Sequence, residues 1–143
     1  MTGADSRGWT GKDMSERAKA KPKVMLLGLD ADLEADLGRV LSAQGCAVHF
    51  APFLSASQCV SLIAGLDACL VFCAAEPACY PLLLEVLRQK RPGFPVVVVS
   101  RSPEAAEWLR ALEAGASDYC APPFEFTPIR WSLEKTLKTS QAA

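Results

Sequence analysis

From Lys23 onward, short apolar runs alternate with longer segments in which apolar residues recur every three or four positions. The runs predict strands buried on both faces, and the longer segments predict amphipathic helices. The predicted strands are VMLLGL, CAVHFA, LDACLVFC, PVVVVS and SDYCA. Because parallel neighbours need crossover connections, five strand–helix pairs predict one α/β domain: an open, doubly wound, five-stranded parallel sheet with helices on both faces.

The fourth helix has a predicted start and a predicted inward face. Ser102 followed by Pro103 is typical of a helix N-cap with proline at the first helical position. Ala105, Leu109 and Leu112 then recur at helical spacing, and they are predicted to face the core.

Composition and charge indicate how the chain is divided and which classes of partner are not expected. Residues 1–22 have almost no periodic apolar pattern and predict a flexible polar tail, 23–139 form the predicted domain, and 140–143 are a short C-terminal tail. The net charge of -1 gives no general basic surface, so direct nucleic-acid binding is not expected. No apolar run approaches the roughly 20 residues of a membrane span, which favours a cytoplasmic protein without membrane attachment.

Candidate chemistry is sparse. The sequence has no phosphate-binding glycine motif, and its only histidine, His49, lies inside a predicted strand rather than at a strand end. None of the six cysteines has zinc-finger spacing. Ser100 has no histidine or lysine candidate beside it, so a hydrolase triad is not expected. We therefore predict no catalytic residue, no metal site and no cofactor.

The stretch PVVVVSRSPEAAEWLRALEAGASDYCAPPF carries a resemblance. Its proline-led strand ending in serine, its RALEAGA helix, its DY pair and its final Pro-Phe are similar to response-regulator receiver domains of bacterial two-component signalling. The resemblance extends from Lys23 to about Lys138. It implies a flavodoxin-like fold with strand order 2-1-3-4-5, and a cis peptide bond at Pro122-Pro123.

The same resemblance implies a degenerate phosphorylation pocket. Gly28 and Leu29 stand where receivers carry a magnesium-binding acidic pair, and Pro122 stands where they carry a phosphate-contacting lysine. The phosphoacceptor aspartate maps onto Phe72 or onto Cys73, depending on where the count begins. The pocket positions are Gly28, Leu29, Asp30, Phe72, Cys73, Ser100 and Pro122.

Ser100 and Tyr119 retain the residue types of the family, as its phosphate-contacting hydroxyl and its aromatic switch residue. Asp30 is a possible relic of a third acidic position, and Glu76 follows in a loop. Phosphoryl transfer needs an in-line oxygen nucleophile and positive charge, and the sequence shows neither at the pocket. We expect a packed pocket that is indifferent to magnesium, with Cys73 an inert buried thiol.

These features favour a noncatalytic pseudo-receiver, independent of phosphorylation, that acts by protein–protein interaction. In the resembled family the output face comprises the fourth helix, fifth strand and fifth helix. Here that face would carry Ala106, Trp108, Arg110, Tyr119 and Trp131. The partner would be another signalling protein or a second copy. Two alternatives stay open: a phosphorelay receiver with a substitute acceptor (Cys73, Ser100 or Glu76), and a ligand or redox sensor that uses Cys73.

Overall fold

Five strands and five helices alternate along the computed structural model, which describes residues 21–76, 78–101 and 104–142, with side chains through residue 135. The strands are β1 (Lys23–Leu27), β2 (Ala47–Ala51), β3 (Leu70–Ala74), β4 (Val96–Val99) and β5 (Asp118–Cys120). The helices are α1 (Ala31–Ala43), α2 (Ala56–Leu66), α3 (Tyr80–Lys90), α4 (Ala105–Glu113) and α5 (Phe126–Ala142).

The strands form one parallel sheet in the order β2-β1-β3-β4-β5, as predicted. The chain starts in β1, moves outward to β2, and then crosses back to β3 before continuing to β4 and β5. The reversal falls between β1 and β3. In open α/β sheets a crevice forms at such a point, beyond the carboxyl ends of the strands.

Each face of the sheet has its own core, because successive strand residues point to opposite faces. On one face, Met25, Leu27 and Val71 pack with apolar residues of α2, α3 and α4. On the other, Leu26 and Phe72 pack with residues of α1 and α5. β3 and β4 are buried throughout, which explains why their sequences are continuous apolar runs.

The third strand begins later than predicted. Leu66 is the last residue of α2, and Asp67 follows it in the left-handed region at φ 57°, with its N–H bonded to the Ala64 carbonyl. Aspartate tolerates this conformation better than most residues, so Asp67 ends the helix instead of starting a strand. The strand itself starts at Leu70.

α4 presents a different face to the sheet from the one predicted. Ala105, Leu109 and Leu112 are all exposed, the two leucines at 57% and 40%, whereas Ala111 is fully buried. The prediction followed apolar spacing alone. In the fold, Glu107 lies on the inner side, where its carboxylate accepts two hydroxyl hydrogen bonds. The helix therefore packs through a small alanine and leaves large apolar side chains in solvent.

The last helix packs beside the end of α1. Gln44, just after α1, donates from Nε2 to the Phe126 carbonyl at 3.1 Å. Ile129 is buried, and so is Leu133, one helical turn further along. These two side chains attach α5 to the core that α1 also covers.

Two predictions fall outside the described residues: most of the tail at 1–22, and the helix start at Ser102-Pro103. At the other end, α5 continues through Ala142, so residues 140–142 are helical and extend past the predicted domain end at 139. Across the described part of the chain, no helix has the length and apolar character of a membrane span.

Candidate functional site

A cavity of about 130 Å³ lies at the carboxyl edge of β1, β3 and β4, where the fold predicts a crevice. Four of the seven predicted pocket positions line it, and so does Glu76, which the sequence places in the following loop. The lining residues are Gly28, Leu29, Asp30, Leu33, Ala74, Ala75, Glu76, Val99, Ser100 and Arg101. The edge of the sheet is thus an open cleft rather than the packed pocket that the sequence suggested.

The two candidate acceptor positions do not line this cleft. Phe72 and Cys73 are fully buried within β3 and point to opposite faces of the sheet. Ala74 is the β3 residue that reaches the cleft, so a methyl group stands at the end of this strand. Pro122 follows β5, joined to Pro123 by a cis peptide bond as the resemblance implies, and it is not among the lining residues.

The turn after β1 requires a glycine. β1 ends at Leu27, and Gly28 has φ +71°, with its N–H bonded to the Ala51 carbonyl at 3.0 Å. A Cβ at this position would lie 3.1 Å from the Phe53 Cβ. Any side chain here would therefore combine an unfavourable backbone conformation with a close contact.

Arg101 bridges the cleft from the β4 side to the β1 side. Its Nε and Nη2 donate to Asp30 Oδ2 at 3.1 and 2.9 Å, and Nη2 also donates to Asp32 Oδ1 at 2.6 Å. Because β1 and β4 flank β3 in the sheet, this ion pair crosses the end of β3. The expectation that the cleft offers no positive charge is therefore wrong. It offers one, already paired with two carboxylates.

The ion pair changes the titration of Asp32 and Arg101. The hydrogen bond from Arg101 lowers the pKa of Asp32, and the two aspartates raise the pKa of the guanidinium. All three side chains are more than half exposed, so solvent screens much of their attraction. Within residues 21–76, 78–101 and 104–142, no three metal-ligating side chains form a group that could hold an ion.

A second polar group lies beside the cleft, on the inner side of α4. Ser100 Oγ donates to Glu107 Oε1 at 3.0 Å, and the Tyr119 hydroxyl donates to the same oxygen in a short hydrogen bond. Both contacts are partly buried, where a carboxylate gains more from hydrogen bonding than it does in water. Burial, and then this bond to Glu107, raise the pKa of Tyr119.

The predicted output face divides into exposed and buried members. Ala106, Trp108 and Arg110 are exposed on α4, and Trp131 on α5 is 66% exposed. Tyr119 is instead buried beneath Trp108, with the ring centroids 6.0 Å apart and the planes at 14°. Trp108 is thus stacked on a neighbouring ring and still 47% exposed.

Four of the six cysteine side chains are buried. All six cysteines are free, and Cys59, Cys73 and Cys79 lie in the same core. Burial raises the pKa of each of these three thiols, so their thiolate fraction near neutral pH is even smaller than that of an ordinary cysteine. This environment is that of inert structural cysteines rather than of a reactive centre.

Sequence reasoning missed Arg101, Asp32 and Glu107 as site residues. A signal was available for Arg101, since it directly follows Ser100 at the end of a predicted strand. Glu107 was obscured by the inward face assigned to its helix. The hydrogen bond between Glu107 and Tyr119 joins residues 12 apart in sequence, and it forms only once α4 packs against β5.

Comparison with known proteins gives structural matches only. No family model matches the chain, and neither does any curated protein sequence. A signal receiver domain of an HD domain-containing protein from Pseudomonas fluorescens Pf-5 superposes with a TM-score of 0.70 at 21% identity, over 86% of this chain and 99% of that domain.

Two response regulators show the same similarity. HP1043, an orphan response regulator of H. pylori, matches with a TM-score of 0.65 at 22% identity, over 82% of this chain and 98% of its own. NtrX from Brucella abortus matches with a TM-score of 0.72 at 21% identity, over 85% of this chain but only 28% of the much longer NtrX chain. The chain therefore has the receiver-domain fold of two-component response regulators.

Proposed function

We propose that this chain is a noncatalytic receiver-like signalling domain that acts by binding another protein and does not depend on phosphorylation. The observation that carries the proposal is the composition of the cleft. β3 ends there in Ala74, and Asp30, just before α1, and Asp32, in the first turn of α1, are already paired with Arg101.

The chemistry of phosphoryl transfer supports this reading. Such transfer needs an oxygen nucleophile in line and cationic charge that is free to stabilise the transferred oxygens. Gly28, Leu29 and Ala74 provide no ligand for a hard cation such as magnesium. Arg101 is engaged by two carboxylates. Among the described residues that line the cleft, Glu76 is the one carboxylate outside that ion pair. It is the acceptor that the alternative of a phosphorelay receiver would use.

The α4 face offers a binding surface. We define it by its three large exposed apolar side chains, Trp108, Leu109 and Leu112, which are 47%, 57% and 40% exposed. They lie at positions that share one side of a helix. Apolar side chains grouped in this way often mark protein–protein interaction sites, and tryptophan is enriched at binding hot spots.

The free thiols also fit a reducing compartment, so we propose that the domain acts in the cytoplasm.

Incubation with acetyl phosphate and magnesium, followed by intact mass measurement, tests independence from phosphorylation. We expect an unchanged mass, whereas a stable gain of about 80 Da would establish phosphorylation and favour the substitute-acceptor alternative. Repeating the reaction with Glu76→Gln and Ser100→Ala would then identify the acceptor.

Binding through the α4 face is tested by co-purification from the source cells. We expect a specific partner to be retained by the wild type and lost from a Trp108→Ala, Leu109→Ala double variant. The matched control is the Leu54→Ala, Leu62→Ala double variant. Both leucines are also exposed, but Leu54 lies just before α2 and Leu62 lies within it, away from the α4 face. Equal capture by both double variants would show that another surface binds.

A further inference from the structure

A cavity of about 300 Å³ lies at the amino ends of β4 and β5, at the end of the sheet opposite to the cleft. It opens between the end of α3, the loop that leads into β4, and the turn at 114–117 that joins α4 to β5. Neither the cleft nor the α4 face contributes a residue to this cavity. Binding there is therefore independent of the proposed function.

The base of the cavity is apolar. Leu84 and Leu87 are buried residues of α3 that belong to the core, and the half-buried ring of Phe94 packs against the same core. An apolar base with a few polar groups at the rim is the usual construction of a small-molecule site, and about 300 Å³ is at the lower end of the range for such sites.

The rim of the cavity is positively charged. Arg88 reaches across from α3, where its Nη2 lies 3.4 Å from the Ala114 carbonyl on the far wall. The guanidinium carbon of Arg91 lies 4.7 Å from the centroid of the Phe94 ring. The described residues that line the cavity thus include two guanidinium groups and no carboxylate. This positive charge is local, since the whole chain has a net charge of -1.

Both guanidinium groups retain donors for a ligand. Arg88 has an ion pair with Glu85 at 3.5 Å, but both side chains are more than half exposed, so solvent screens their attraction. Among the carboxylates that the structure describes, none forms an ion pair with Arg91. The dipole of α3 accounts for basic residues in its last turn, such as Arg88, but it does not account for a second guanidinium held over an aromatic ring beside a cavity.

The available donors favour a carboxylate over a phosphate. A phosphate site is usually built from several unpaired backbone N–H groups. Here four N–H groups at the cavity wall already donate to carbonyls of the fold, namely those of Phe94, Ala114, Gly115 and Ser117. The remaining donors are guanidinium groups, whose planar pairs of N–H bonds match the two oxygens of a carboxylate.

We propose that this cavity is a binding site for a small monocarboxylate with an apolar aromatic or aliphatic body. The carboxylate lies between the guanidinium groups of Arg88 and Arg91, where two cations compensate its loss of water. The apolar body contacts Leu84, Leu87 and Phe94 at the base.

Amide NMR spectra of the full chain, recorded during titration with sodium benzoate, test this site. We expect saturable shifts of the Gly93, Gly115 and Ser117 signals, with a dissociation constant on the order of 1 mM for so small a ligand. Sodium hexanoate, which has an aliphatic body, should shift the same signals. Benzamide has the same ring without the charge and should leave them in place, as should sodium chloride at equal ionic strength.

Two arginine variants test the assignment of the rim. Arg91→Ala and Arg88→Ala should each weaken benzoate binding at least about tenfold, because each removes a charge-assisted pair of hydrogen bonds. Arg91→Lys keeps the charge but loses the planar donors, so it should recover only part of the affinity. Arg39→Ala is the matched control: Arg39 is exposed and pairs with an acid three residues earlier, as Arg88 does, and its loss should leave the affinity unchanged.

Three results would overturn the proposal. The first is that benzoate and benzamide shift the cavity signals equally. The second is that benzoate binds the Arg88→Ala variant as tightly as the wild type; Arg88 is 62% exposed, so this variant should keep its fold and the rest of its spectrum. The third is that the Gly93 and Ser117 signals stay in place up to about 20 mM benzoate.

Discussion

The guanidinium of Arg101 meets the carboxylate of Asp32 at 2.6 Å across the mouth of the cleft. The same Nη2 atom lies 2.9 Å from Asp30 Oδ2, so one guanidinium forms ion pairs with two carboxylates. A crevice with clustered carboxylates would otherwise favour a divalent cation to relieve their repulsion. The protein supplies its own cation from the neighbouring loop, and this makes a metal-independent cleft physically reasonable.

Replacing Arg101 with alanine should weaken the dependence of stability on pH. Arg101 lowers the pKa of Asp32 in the folded protein, so the pair contributes stability above the ordinary aspartate pKa of about 3.9 and loses it as pH falls through the lowered value. Urea unfolding at pH 7 and pH 3 measures the difference. It should be smaller in Arg101→Ala than in Arg39→Ala, which removes an exposed arginine paired with Asp36 on α1. Equal differences would contradict the assignment.

Replacing Gly28 with alanine should destabilise the fold. The new Cβ would be placed at φ +71° and 3.1 Å from Phe53 Cβ, which we expect to cost about 1–3 kcal/mol in the free energy of unfolding. Gly65→Ala is the control. It lies in α2 with nothing within 4 Å, and it should instead stabilise by about 0.5–1 kcal/mol. Comparable effects of the two variants in urea unfolding would be inconsistent with the strained turn.

Replacing Leu109 with alanine should barely change stability, because its side chain is 57% exposed. We expect a change below about 0.5 kcal/mol in the free energy of unfolding. Leu83→Ala removes a fully buried leucine of α3 and should cost about 2–5 kcal/mol. If Leu109→Ala proved as costly as Leu83→Ala, α4 would present its predicted face to the sheet after all.

Cys73 should resist alkylation in the native protein. Its side chain is fully buried, and burial raises the pKa of its thiol, so both access and thiolate formation are unfavourable. Iodoacetamide at pH 8, followed by peptide mass spectrometry, should modify Cys73 only after unfolding in guanidinium. The half-buried Cys69 is an internal comparison. Native alkylation of Cys73 as fast as in the unfolded chain would revive the redox-sensing alternative.

The fold was predictable because its signals are local. Strands buried on both faces must be apolar throughout, and their alternation with helices dictates a parallel sheet. The end of α2 was missed because Asp67 terminates the helix through a left-handed conformation that the apolar run around it conceals. The orientation of α4 was missed for a tertiary reason: the bonds from Ser100 and Tyr119 hold Glu107 inward.

The candidate site was predictable only in part. Its location at the strand ends follows from topology, so four pocket positions were found: Gly28, Leu29, Asp30 and Ser100. The Arg101–Asp32 contact joins residues 69 apart in sequence, and no periodicity indicates it. Counting along the sequence gave Phe72 or Cys73 as the position of the phosphoacceptor. Neither lines the cleft, because the strand continues by one residue and Ala74 is the residue that reaches it.

The central claim is that the cleft accepts neither a divalent metal nor a phosphoryl group. Amide NMR spectra of the full chain, recorded during titration with magnesium and then beryllofluoride, test it most directly. The account predicts that the amide signals of Gly28, Ala75 and Ser100, which line the cleft, stay in place at concentrations of both that would saturate a working receiver. Saturable shifts of those three signals on addition of magnesium and beryllofluoride would contradict it.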